Sequence, residues 1–258
     1  MILKDLPIST VVTDKKTKFN GESIEWLVTD HEKYQDGTVL FSKDIICCKP
    51  FDDHDPKELS YKEYKEHSIS WENSSIRNWL KTDFFYKSFS LQLRCMSILV
   101  EISECDRNNV TRKIKDNVFL LSASEVIGYR YTDNHEVLQL FKDIDTNKYI
   151  TIDRNKYITS EACRGLKWSW WLRSPMVKDS HHIYFVDEHG LLGNANAHYV
   201  SMGVRPACVI SDYTPIKEEK NGDYKFDWSP LHTNWRKQLT LYSIMYKNHL
   251  DFSRTKGV

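Results

Sequence analysis

Lys167 to Ala207 reads KWSWWLRSPMVKDSHHIYFVDEHGLLGNANAHYVSMGVRPA, and this stretch decides the fold. Trp168, Trp170 and Trp171 with Leu172 suit a central strand, which Arg173-Ser174-Pro175 ends. Ile183 to Asp187 predicts a second strand, Glu188-His189-Gly190 a turn, and Leu191-Leu192 the returning arm of a hairpin. Asn194, Asn196 and His198 then alternate with alanines, which puts three polar side chains on one side of an extended segment. Gly203-Val204-Arg205-Pro206-Ala207 leads through Cys208, Val209 and Ile210 as a closing strand.

The whole chain sets the frame for that stretch. Its 258 residues suffice for one large domain or two modest ones, and 40% hydrophobic against 28% charged residues is an ordinary soluble balance. Lysine plus arginine equals aspartate plus glutamate at 36 each, so no net field draws in nucleic acid or an anionic membrane. The opening MILKDLPIST is no secretory leader, and no run of about 18 apolar residues could span a bilayer, so a cytoplasmic protein is expected. The six cysteines form no CxxC pair or zinc spacing and read as reduced thiols.

Upstream, Asn20-Gly21 signals a turn, and Ile24, Trp26 and Val28 share one face of a strand over Ser23 to Asp30. Thr38 to Ser42 and Ile45 to Cys48 read as one nearly continuous apolar strand, which forms a hairpin with the first. Residues 49–68 read as a polar surface loop. Asp52-Asp53-His54-Asp55 bunches metal-ligand types within it, at a spacing that matches no EF-hand or zinc-enzyme pattern. Asn73 or Ser74 can cap a helix carrying Ile76, Trp79 and Leu80, with Phe84, Phe85 and Phe89 continuing an aromatic core.

Leu91 to Val100 predicts a strand, Ser103 to Lys115 a polar connection, and Asn117 to Ser122 another strand. Ser122-Ala123-Ser124-Glu125 has capping-box spacing and starts a short helix through Tyr129. His135 to Asp143 predicts a helix with Val137, Leu138 and Phe141 on one face, capped by Asn134, and Ser160 to Arg164 a helical turn ended by Gly165. Beyond Asp212, residues 217–225 read as a charged linker. Trp235, Leu239, Tyr242 and Tyr246 then form one stripe of a helix over about Thr233 to Asn248, which packs on the domain, a second copy or a partner.

Four blocks in order resemble the signatures of a family of bacterial and phage domains of unknown function. They are Trp71-Glu72-Asn73-Ser74-Ser75-Ile76-Arg77-Asn78-Trp79-Leu80, Phe119-Leu120-Leu121-Ser122 with Glu125, Trp170-Trp171-Leu172-Arg173-Ser174-Pro175, and Gly203-Val204-Arg205-Pro206-Ala207. The resemblance covers roughly residues 20–211, and its last part is similar to the C-type-lectin-like fold of formylglycine-generating enzymes and phage receptor-binding domains. It implies an α+β, C-type-lectin-like domain over residues 1–211: a twisted antiparallel sheet, short helices and a loop-built binding face. Residues 212–258 are then an addition of linker and aromatic helix. Met176 stands where the family usually has glycine after the proline.

Arg173 and Arg205, each in an apolar flank, must reach solvent or meet carboxylates and carbonyls, so each is either a structural tie or a ligand contact. His181, His182, His189 and His198 lie close in sequence without a zinc-enzyme spacing. One of them could serve as a base with Asp187 or Glu188 to orient it. There is no GxSxG, no phosphate loop and no dinucleotide fingerprint, and Cys208 sits in an apolar run, so no catalytic residue, metal or cofactor is assigned.

The expectation is a non-catalytic recognition domain whose ligand is a small molecule, glycan, nucleotide or protein. Its candidate contacts are Arg173, His182, Tyr184, Asn194, Asn196, His198, Tyr199 and Arg205. The alternative is a metal- or histidine-dependent enzyme using the His181 to His198 cluster.

Overall fold

Asn20 and Gly21 adopt φ of 50° and 87°, the two positive values that a tight two-residue hairpin needs, and join β1 (Val11–Phe19) to β2 (Glu22–Tyr34). The computed structural model describes residues 1–53, 69–105, 110–128, 137–142, 168–176, 181–188 and 190–229. Next come β3 (Gly37–Ser42), β4 (Cys47–Cys48), α1 (Ser75–Trp79), α2 (Phe85–Ser88), α3 (Leu91–Met96), β5 (Val100–Cys105) and β6 (Thr111–Asp116). They are followed by β7 (Val118–Phe119), α4 (Ala123–Ile127), α5 (Gln139–Lys142), β8 (Trp170–Pro175), β9 (His182–Val186) and β10 (Leu192–Asn196). The last described strands are β11 (Gly203–Val204), β12 (Ala207–Ser211), β13 (Ile216–Glu218) and β14 (Tyr224–Phe226).

The protein is mainly β-sheet with a few short helices. One sheet has seven strands in the order β13-β14-β1-β2-β3-β12-β7, another five in the order β10-β9-β8-β11-β4, and β5 and β6 form a separate hairpin. Pairing is antiparallel except between β1 and β14 and between β8 and β11. Among the described residues no helix is long and apolar enough to cross a membrane.

The two large sheets share one bent ribbon. Phe41 pairs with Ala207 in the seven-stranded sheet, whereas Cys47 and Cys48 pair with Val204 and Gly203 in the five-stranded one. The expected single strands over residues 38–48 and 203–210 therefore each divide in two. They break together because they are partners: Ser42 N–H donates to Pro206 O at 2.8 Å on one side of the bend, and Ile46 N–H to Val204 O at 3.0 Å on the other.

Arg205 fills the inside of the corner. Its Nη2 donates to Ser42 O at 2.8 Å and Lys43 O at 3.0 Å, and its guanidinium lies 4.0 Å from the Phe41 ring centroid and 4.9 Å from that of Trp170. A desolvated cation over aromatic faces contributes about 2 kcal/mol beyond its hydrogen bonds. Gly203 belongs to the same corner, since a Cβ there would come within 2.7 Å of Ile45.

Arg173 makes the second tie. Its Nη1 donates to Glu125 Oε2 at 2.6 Å and Leu120 O at 2.8 Å, which binds β8 to the start of α4. Glu125 also completes the capping box, accepting Ser122 N–H at 2.8 Å, and Gly128 ends α4 at φ 69°. Trp170 and Trp171 are buried beside these ties, while Trp168 is 45% exposed.

Three further expectations change. Leu91 to Met96 is helix rather than strand because Ser90 caps it, accepting Leu93 N–H, and Ser90 is itself held by Asp14 of β1 at 2.5 Å. Residues 103–105 and 111–115, read as a polar connection, belong to the paired strands β5 and β6, in which Ile102 faces Ile114. Residues 217–225, read as a linker, carry most of the β13–β14 hairpin. Ser74 caps α1, which continues through a π-helical stretch, Leu80–Phe84, into α2. The predicted turn at 160–165 and the aromatic stripe of Trp235, Leu239, Tyr242 and Tyr246 lie outside the described residues.

Candidate functional site

The register of β9 against β10 sets the site. Asp187 N–H donates to Leu191 O at 2.9 Å and Ala197 N–H to His181 O at 2.8 Å, so the odd-numbered residues of β10 point their main-chain groups at β9. The even-numbered pairs, Asn194 with Tyr184 and Asn196 with His182, are the close non-hydrogen-bonded pairs, and their four side chains share one face. That face runs outward from buried Val186 through Tyr184, 7% exposed, to exposed Asn194 on the outermost strand.

Beyond β10 the chain turns back on itself. Asn196 Oδ1 accepts His198 N–H at 3.0 Å, and its carbonyl accepts Tyr199 N–H at 3.0 Å. His198 therefore lies past the extended segment rather than on it. Its Nδ1 stands 2.9 Å from Asp52 O; a carbonyl only accepts, so Nδ1 carries a proton and the ring is held in one orientation. Tyr199, 56% exposed, and Val200, 66% exposed, form the tip.

The segment holding His198 is anchored by the first signature block. Ala197 O accepts Phe51 N–H at 2.8 Å and Asp52 N–H at 3.1 Å, Phe51 O accepts Ile76 N–H at 3.1 Å, and Ser75 Oγ accepts Asp53 N–H at 2.7 Å. The start of α1 thus fixes residues 51–53, and those fix His198. Trp71 is pinned in turn: its indole donates to Asp116 Oδ2 at 2.9 Å and its main-chain N–H to Glu104. Burial pushes the Glu104 carboxyl up to about 7, against the pull of the Trp71 and Glu72 amides and of Arg173.

The family described as Domain of unknown function (DUF6273) matches residues 36–212, more than half of the chain. The chain belongs to that family. The DUF6273 segment holds all four signature blocks, both buried arginines and the whole β9–β10 face. It supplies β3, β12 and β7 of the seven-stranded sheet, while β1, β2, β13 and β14 lie outside it. Its two ends meet, since Asp212 N–H donates to Asp36 O at 3.0 Å. No curated protein and no solved structure matches the chain.

The DUF6273 fold brings His182, Tyr184, Asn194 and Asn196 together, with His198 and Tyr199 at the end of the strand. Arg173 and Arg205 stand apart, each 1% exposed and bonded to carbonyls or to Glu125. Among the described residues no group of three or more His, Cys, Asp or Glu side chains could hold a metal ion, and His54, Asp55 and His189 lie outside them. Burial raises the Cys47 thiol to about 12 and raises Cys95 and Cys208 as well, so these thiols are not primed as nucleophiles. Sequence reading missed the roles of Ser75 and Asp52. Ser75 stands inside the first signature block, and Asp52 begins a polar run.

Proposed function

We propose that this protein is a non-catalytic recognition domain, with His182, Asn194, Asn196, His198 and Tyr199 as its contact face on a C-type-lectin-like scaffold. The observation that carries the reading is the fixed orientation of His198. With Nδ1 donating to the Asp52 carbonyl, the ring is held at the end of the strand that carries an amide pair, next to an exposed tyrosine. Amides offer both donor and acceptor, and a tyrosine ring covers apolar surface, so a neutral polyhydroxyl or amide-rich ligand fits this set. The scaffold part is supported by the neighbouring order of β9, β8 and β11, which puts the tryptophan strand between the hairpin and the Gly203-Val204 strand.

The test is thermal unfolding of the full chain against panels of mono- and disaccharides, nucleosides and nucleotides. A stabilising compound should lose its effect in the Asn196→Ala, His198→Ala double variant. No shift across the panels, or a shift that survives the double variant, would remove this face from the reading.

A further inference from the structure

We infer that the outer edge of β10 is a docking site for an extended segment of another protein, which adds to the five-stranded sheet as a sixth strand. This uses the same hairpin as the recognition face, but its main chain rather than its side chains. Because Leu191, Gly193, Ala195 and Ala197 are the residues turned toward β9, the N–H and C=O groups of Leu192 and Asn194 point away from the sheet. β10 is the last strand in its sheet, and these groups have no partner among the described residues. Asn194 is exposed, so the edge is open to solvent where it matters.

The other ends of the two large sheets are guarded. β4 and β7 are two residues long, and β13 carries exposed Lys217 and Glu218. β10 reads Leu-Gly-Asn-Ala-Asn, with no lysine, no proline and no bulge against β9. It therefore lacks the devices that keep an edge from pairing. The faces on either side define what fits. On one, half-buried Phe185 lies so close over Gly193 that a Cβ there would come within 2.5 Å of its ring, next to Ala195. On the other stand Asn194 and Asn196.

The partner segment is thus extended and alternating, with apolar side chains over Phe185 and Ala195 and hydrogen-bonding ones toward the asparagines. A second copy of this chain fits less well. Asn196 O is already taken by Tyr199 N–H, which leaves an edge of two open residues, far short of the roughly 800 Å² per partner of a stable dimer.

The experiment combines hydrogen exchange on the full chain with selection from a display library of linear peptides. In the free chain the Leu192 and Asn194 amides should exchange fast and those of Gly193 and Ala195 slowly. Asn194→Pro removes one outward N–H without touching the β9 ladder, and should weaken selected peptides at least about tenfold. Asn194→Ala keeps the main-chain N–H and removes only the amide contact, so it should weaken the same peptides clearly less than Asn194→Pro does. Peptides N-methylated at alternate residues should fail on the wild-type chain, which keeps the test valid if the proline variant does not fold.

Leu192 and Asn194 amides already slow in the dilute free chain would overturn the proposal, because the edge is then covered from within. So would slowing that depends on protein concentration alone, or an absence of peptides that prefer wild type to Asn194→Pro. Peptides lost in Asn194→Ala as well would return the binding to the side-chain face.

Discussion

The Arg205 corner and the outer strand of the β9–β10 hairpin lie in one sheet system and treat the main chain in opposite ways. At the corner, carbonyls that the bend turns inward each meet a guanidinium donor, and two aromatic rings cover the cation. At β10, the outward groups of two residues meet nothing among the described residues, and the adjoining side chains are amides and a half-buried histidine. The contrast separates what the signature residues do from what they make possible. Tryptophans and arginines fix the frame, and the outer edge of the β9–β10 hairpin belongs to residues that contribute little to it.

That contrast can be broken first at the corner. Arg205→Met should leave the Ser42 and Lys43 carbonyls buried without donors and lower stability by about 3–5 kcal/mol in urea unfolding. A loss below about 1 kcal/mol would show that the bend is held by main-chain pairing alone. Arg173→Met should follow at about 3 kcal/mol, since Glu125 would lose its 2.6 Å guanidinium partner and, among the described residues, keep Lys33 at 3.3 Å.

Glu104 offers a test through pH. Its carboxyl is raised to about 7 from 4.5, so folding takes up a proton between those values. This contribution is neutral below about pH 4.5 and destabilising above about pH 7, by on the order of 3 kcal/mol when the shift is fully expressed. Stability measured by urea titration should therefore fall as pH rises through that window, and Glu104→Gln should flatten the slope. An unchanged slope in the variant would assign the dependence to other groups.

The hairpin should respond weakly. Asn196→Ala removes the acceptor for His198 N–H and should lower stability by about 1 kcal/mol. Asn194→Ala, at an exposed edge position, should change it by less than about 0.5 kcal/mol. A large loss from Asn194→Ala would mean that this strand is part of the frame after all.

Local chemistry was readable in the sequence wherever the partner is near in the chain. The Asn20-Gly21 turn, the Ser74 cap and the Ser122 to Glu125 capping box all close within a few residues. Leu91 to Met96 was misread because its cap is positioned by Asp14, 76 residues away from Ser90. The charged alternation of β5 and β6 hid a strand pair whose buried face holds Val100, Ile102 and Ile114 together with the carboxyls of Glu104 and Asp116. The amide pair of the candidate face was legible from period-two alternation. His198 was grouped with it by the same rule, although a turn stabilised by Asn196 had already ended the strand. No pattern in the sequence could say that Asp52 would orient that ring.

The hydrogen bond from Asp212 to Asp36 has a consequence for how such domains can be built. A segment whose entrance and exit touch can be spliced between two strands of a host, as a plug is set in a socket, without stretching either. Here the socket is the β13-β14-β1-β2 part of the seven-stranded sheet. The fit is not passive, since Asp14 and Lys33 of the socket reach Ser90 and Glu125 of the plug.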